Sequence, residues 1–344
     1  MAASAVFDGH NDVLSKLLAA GDRAGEGFFR GLPGHLDAAR CRAGGMAGGL
    51  FAIWVRGPQQ HDPDEDDPAP VFRPLEPGRA RQVTLAMAAT LIRMARAHPE
   101  ALRLCRTAGE VEAARAAGAL AAVMHLEGAE GIGPELDELH VLHAAGLRSI
   151  GPVWSRDNIF GHGVPFRFPA SPDTGPGLTE AGRRLVREAA GLGMLVDLSH
   201  MNQKGFWEVA QITRGPLVAT HSGVHALCPA SRNLTDRQLD AIAERGGLVG
   251  LNLAVQFLRE DGRREADTGL EVVLRHLDHL IGRLGEDGVG LGSDFDGAVM
   301  PQAIGSAAGL PALVEAMRGA GYGAALIERI CWGNWVGLLR RVIG

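Results

Sequence analysis

The sequence predicts an α/β fold of the (β/α)8, TIM-barrel type. Three observations predict it. Eight short β-rich runs alternate with longer segments whose apolar residues recur three and four apart. Several runs are apolar throughout, as parallel strands covered by helices must be. Histidines and carboxylates gather where the runs end, which is where barrels of this type carry their chemistry. An open doubly wound sheet is the alternative, but no Gly-x-Gly-x-x-Gly follows any run.

The first run is Val6–Asp12, and the second is Gly49–Val55 (GLFAIWV). Ala119–Leu126 (ALAAVMHL) and Arg148–Val153 are the third and fourth. Met194–Ser199 (MLVDLS), Pro216–Thr220 (PLVAT), Gly247–Leu253 (GLVGLNL) and Val289–Ser293 (VGLGS) complete the set. Helical periodicity marks Arg81–Ala97, Thr179–Gly193, Thr235–Arg245 and Gly269–Leu284 between them. Trp332–Ile343, with Arg340 and Arg341, reads as an amphipathic closing helix. Two loop insertions depart from the pattern. Gly57–Gly78 contains Asp62-Pro63-Asp64-Glu65-Asp66-Asp67 and would hang over the C-terminal face, as a solvated loop or as a lid. Gly161–Gly177 is the second insertion, after the fourth run. No linker divides the chain, so residues 1–344 are expected to form one barrel.

Composition excludes several functions. The chain has 344 residues, 46% apolar and 22% charged, an ordinary balance for a globular protein. The formal charge of −6 is mild and the basic residues are scattered, so no nucleic-acid partner is expected. The N-terminus lacks a basic stretch followed by an apolar one, and no apolar run reaches the roughly 18 residues of a membrane span. Cys41, Cys105, Cys228 and Cys331 are far apart and form no Cys-x-x-Cys. They read as reduced thiols, and the expected location is cytoplasmic, away from membranes.

The run ends collect ligands. His10 and Asp12 stand two apart at the end of the first run, so alternation aims both at one spot. The third run ends in Glu127, the fifth in His200, the sixth in His221 and the eighth in Asp294. Imidazoles and carboxylates converging on one point are what a zinc-like ion needs. Five strong donors exceed the three that one catalytic zinc takes from protein, so two zinc ions per chain are expected. Such a pair needs a bridge. Neither lysine of the chain, Lys16 or Lys204, stands at a run end, which leaves a carboxylate, and Glu127 is the best placed. His10 and Asp12 would hold one ion, His200 and His221 the other. Asp294 is left beside the metal water, suited to accept its proton and pass it to a leaving amine.

Asp8-Gly9-His10-Asn11-Asp12, Glu127-Gly128, Asp197-Leu198-Ser199-His200, Thr220-His221-Ser222, Arg232-Asn233 and Gly292-Ser293-Asp294-Phe295-Asp296-Gly297 resemble the membrane (renal-type) dipeptidases. These form peptidase family M19, a branch of the amidohydrolase barrels. The resemblance runs from residue 6 to about 335, through Gly333-Asn334-Trp335. It implies a binuclear zinc enzyme that hydrolyses free dipeptides with a hydroxide bridging the ions. It implies His10, Asp12 and Glu127 on one zinc, Glu127, His200 and His221 on the other, and Asp294 as proton shuttle. It also implies that Arg232 binds the substrate carboxylate, a pairing that the guanidinium fork suits.

Two positions depart from the family. Where its fourth strand often carries a substrate-binding histidine, this chain has Trp154, with Arg156, Asn158 and His162 in the loop beyond as replacement donors. Where the mammalian enzymes carry an aromatic residue after the seventh strand, this chain has Ala254, so an open wall and tolerance of L,D-dipeptides are expected. The expected partner is a small dipeptide, with a homodimer left open. The alternatives are an amidohydrolase of N-acyl amino acids and a catalytically silent metal-binding barrel.

Overall fold

A computed structural model describes residues 4–57 and 72–344; the acidic run Asp62–Asp67 lies outside the described residues. The strands are β1 (Val6–Asn11), β2 (Met46–Trp54), β3 (Leu102–Leu104), β4 (Leu120–Glu127), β5 (Leu147–Gly151), β6 (Leu195–Val196), β7 (Val218–Ser222), β8 (Leu248–Asn252) and β9 (Val289–Gly292). Eight of them pair in the order β6-β5-β4-β2-β1-β9-β8-β7, every neighbouring pair parallel. A single bridge between Asp197 and Val218 brings β6 to β7 and nearly closes the ring. This is the (β/α)8 barrel of the sequence expectation, with each of the eight runs in its strand position. The addition is β3, which pairs with β4 outside the ring.

Two cores hold the barrel. On the outside, Val6, Phe51, Ile53, Ala122, Met124 and Leu126 pack beneath the helices. Inside, Phe7, Leu50, Ala121, Val123, Val218 and Leu248 meet Trp332, Trp335 and Leu339. Trp335 is fully buried, donates its indole N–H to Leu291 O at 2.9 Å and lies 5.8 Å from Phe7. The inside group belongs to the early residues of its strands, so the closing helix Asn334–Val342 plugs the N-terminal end of the barrel. The polar residues are left at the opposite end.

The observed helices Pro77–Ala97, Glu180–Gly191, Asp236–Glu244 and Leu270–Leu284 match the periodic segments to within a few residues. Thr179 and Thr235 cap theirs, and Thr235 forms a reciprocal capping box with Gln238. Lys16 and Lys204 lie on the helices Val13–Ala19 and Gln203–Ile212, away from strand ends. All four cysteines are buried and unpaired.

Candidate metal centre

His10, Asp12, Glu127, His200, His221 and Asp294 converge at the C-terminal mouth of the barrel. His10 Nε2 lies 3.5 Å from Asp12 Oδ2 and 3.5 Å from Glu127 Oε2. The other Glu127 oxygen, Oε1, lies 2.8 Å from His200 Nε2 and 3.4 Å from His221 Nε2. Ligand atoms of His10, Asp12 and Glu127 form one group within 4.8 Å of one another, and those of Glu127, His200 and His221 form a second. A third such group, His10, His221 and Asp294, joins the two. Each group could hold a metal ion, and Glu127 offers one oxygen to each of the first two.

Backbone irregularity aims these side chains. Asp8 faces Gly49 but Asn11 faces Phe51, so β1 advances three residues while β2 advances two. A similar slip separates Ala219 from Ser222 on β7, around His221. Bulges of this kind re-aim side chains beside active sites. His200 (φ 65°) and Asp294 (φ 63°) adopt left-handed backbone, which costs a non-glycine residue of order 1–2 kcal/mol. At Gly297, a Cβ would strike both Asp12 Oδ2 and Asp294 Oδ1, so glycine lets the two carboxylates approach.

A layer of hydroxyls and carboxylates orients the imidazoles. His200 Nδ1 lies 2.7 Å from Ser155 Oγ, and His221 Nδ1 lies 2.9 Å from Thr220 Oγ1. Thr220 Oγ1 donates to Asp197 Oδ2 at 2.6 Å, so it accepts from the His221 Nδ1–H. That fixes the tautomer and leaves the Nε2 lone pair facing Glu127. Asp197 Oδ1 also accepts from the backbone of Ser199 and Thr220. Asp8 accepts from Ser293 N and Oγ at 2.6 and 2.7 Å, and Asp294 Oδ2 accepts from Asn252 Nδ2 at 3.0 Å.

The electrostatics fit a cation. Burial pushes the Glu127 carboxyl up to about 7, against the pull of His10, and raises Asp294 with help from Asp12. Burial, with the charges of Arg232 and His10, holds His200 and His221 well below the ordinary histidine range. Burial opposes charge on His10 too, but Glu127 and Asp12 lift it well above that range. His200 and His221 are thus neutral imidazoles beside carboxylates, the protonation state that metal ligation needs. His10 Nε2, which faces Asp12 and Glu127, and Asp12 Oδ1 are buried without a hydrogen-bond partner among the described residues, as metal-ligating atoms would be.

Arg232 is buried at 3% exposure beside this cluster. Its Nη1 donates to Ser222 Oγ at 2.8 Å and its Nη2 to His221 O at 2.7 Å, while Nε has no partner among the described residues. Burial lowers its pKa to about 10, so it stays charged at neutral pH. Trp154 stands next to His200, with ring centroids 5.6 Å apart. Of the three replacement donors, Asn158 and His162 are engaged within their own loop, whereas Arg156 keeps one buried nitrogen, Nη1, without a partner among the described residues. Arg156 is fully buried, pairs with Glu130 at 2.7 Å and donates to Val55 O. Asn158 ties its own loop to Pro152 O and Phe160 N, and His162 pairs with Asp157. Ala254 does not open the wall. It is fully buried with Cys228 and Ala230 against Phe257, which the one-turn helix Val255–Leu258 brings to this place. Sequence reasoning also passed over His125, which sits two residues before Glu127 on β4, 5.5 Å from the His10 ring. Period-two spacing from Glu127 was the signal for it.

The family model described as membrane dipeptidase (peptidase family M19) matches residues 1–343. Among solved structures, the chain is similar to a metallo peptidase from Rhodobacter sphaeroides liganded with a phosphinate mimic of the dipeptide L-Ala-D-Ala. The two are 54% identical, with a TM-score of 0.94 and 99% of each chain covered. It is also similar to dipeptidase AC, a metallo peptidase of family M19, at 55% identity, TM-score 0.92 and 99% of each chain. A Klebsiella pneumoniae protein described as the uncharacterized protein in pqqA 5′region is 51% identical over 241 residues, 70% of this chain and 89% of its own length.

Proposed function

This chain belongs to the membrane dipeptidase family, peptidase family M19, and we propose that it is a zinc-dependent dipeptidase holding two zinc ions. The observation that carries this is Glu127, which turns one carboxylate oxygen to His10 and the other to His200 and His221. In this proposal His10 and Asp12 complete one ligand set, and His200 and His221 the other. When bound there, the ions would supply Lewis-acid polarisation of the peptide carbonyl and would make water nucleophilic at neutral pH.

The chain's own residues do the rest. Asn252 holds Asp294 Oδ2, which leaves Oδ1 to take the nucleophile's proton and return it to the departing amine. Arg232 receives the substrate carboxylate, which would also engage its unpartnered Nε. Anchoring the carboxylate fixes one residue on the C-terminal side of the scissile bond, because a peptide extended on that side would leave the buried guanidinium unpaired. The Rhodobacter relative's ligand, a mimic of L-Ala-D-Ala, supports including L,D-dipeptides among the substrates. No described helix is long and apolar enough to cross a membrane, and a cytoplasmic location and a homodimer are proposed for test by fractionation and light scattering.

The test is hydrolysis of L-Ala-D-Ala and L-Ala-L-Ala by zinc-loaded protein, beside the same peptides with acetylated amino groups. Cleavage of free dipeptides alone is the expected result. Preference for the acetylated forms would favour an N-acyl amino acid amidohydrolase, which Arg232 would serve equally. No hydrolysis of either would leave a silent metal-binding barrel.

A further inference from the structure

A continuous run of aromatic rings borders the site and takes no part in the chemistry proposed above. Trp54, at the end of β2, lies 5.2 Å from Trp154, centroid to centroid. Trp154 lies 5.6 Å from Phe166, which is itself 6.0 Å from His200 and 5.2 Å from Phe257. The ring of Phe257 is 6.0 Å from the Arg232 guanidinium carbon. The run therefore passes His200 at Trp154 and Phe166 and ends beside Arg232.

The exposure along it is uneven. Trp154 and Phe257 are 7% and 5% exposed, whereas Phe166 is 38% exposed. Phe166, packed between Phe257 and Phe72 and 6.0 Å from His200, thus keeps apolar surface accessible beside the metal-ligand cluster. Covering that surface with an apolar side chain is favourable, and covering it with a charged one costs the charge its hydration. The order of contacts says which side chain is involved. If Arg232 holds the carboxylate, the C-terminal Cα is one bond away from it. The side chain on that carbon then leaves within reach of Phe257 and Phe166.

We propose that Phe166 and Phe257 form the pocket for the C-terminal side chain and select dipeptides whose second residue is apolar. This specificity rests on the dipeptidase proposal and on Arg232 as carboxylate anchor. A leucine second residue should exceed glycine in kcat/KM by about ten- to a hundredfold, the range for burying that side chain. Aspartate, glutamate and lysine second residues should fall below glycine.

The test measures kcat/KM of zinc-loaded enzyme for Ala-Gly, Ala-Leu and Ala-Glu, with both configurations of the second residue. It compares the wild type with Phe166→Ser and Phe166→Lys. The serine variant should bring the Leu-to-Gly ratio to within about threefold of unity, since the covering ring is gone. The lysine variant should raise Ala-Glu relative to Ala-Leu by about tenfold, a gain that mere loss of structure cannot produce. Cleavage of Ala-Gly with ratios unchanged across all three proteins would overturn the pocket while leaving the dipeptidase proposal standing. Failure of the wild type to cleave any dipeptide would overturn both.

Discussion

Replacing Arg232 by methionine removes a buried charge and keeps most of the side chain's length. Two of its nitrogens are already held by Ser222 Oγ and His221 O, so the guanidinium is fixed in place before any ligand arrives. Its Nε is buried without a partner among the described residues, and a carboxylate arriving there would gain a charge-assisted hydrogen bond from a preorganised donor. Such a bond contributes about 1.5–3 kcal/mol, and leaving a buried charge without its partner costs about 2–5 kcal/mol. We therefore expect Arg232→Met to lower kcat/KM for free dipeptides by about 2–4 kcal/mol, roughly 30- to 1,000-fold. C-terminally amidated dipeptides lack the charge and should lose less than about threefold. Because the substitution also frees the carbonyl of His221, zinc content is measured alongside as a control for the metal site. The assay is steady-state kinetics on matched free and amidated pairs. An equal penalty for both, with zinc retained, would remove Arg232 from the carboxylate site.

Three further outcomes are expected. Asp294→Asn keeps the Asn252 contact and the metal but removes the base, so kcat should fall by roughly 10²–10⁴ at unchanged zinc content; near-normal kcat would place the proton transfer elsewhere. Glu127→Gln should lose zinc and rate together, because both of its oxygens face ligand histidines; full zinc occupancy by mass spectrometry would contradict the bridging role. His276 is buried, accepts from Val224 N at 3.2 Å and lies 2.9 Å from Leu258 O through Nε2, and burial lowers its pKa from 6.5 to about 4. The unfolded chain therefore binds the proton first, so this stabilisation is complete above about pH 6.5 and is lost as pH falls towards 4, by roughly 3 kcal/mol. Nitrogen NMR of the imidazole checks this directly, and titration near 6.5 in the folded protein would refute it.

The eight barrel strands were legible because parallel strands under helices are apolar on both faces, and such runs stand out between helical periods. Leu102–Leu104 was not legible: three residues around an exposed Arg103 are too short to show a period. His10 and Asp12 do meet, but by a different route from simple alternation. The register slip in β1 turns His10, and Asp12 lies beyond the strand at the start of the helix Val13–Ala19. The supporting layer was hidden, since the links from Asp197 to Thr220 and from Arg156 to Glu130 join residues 23 and 26 apart. Ala254 misled because its neighbourhood is decided by Phe257, folded back by a single helical turn.

The central claim is a two-metal centre built around Glu127, and the most direct measurement is a zinc titration of chelated protein, following bound metal and dipeptide hydrolysis together. The account predicts an inactive metal-free protein and activity that saturates at two zinc ions per chain. Full activity without metal, or saturation at a single ion, would contradict it.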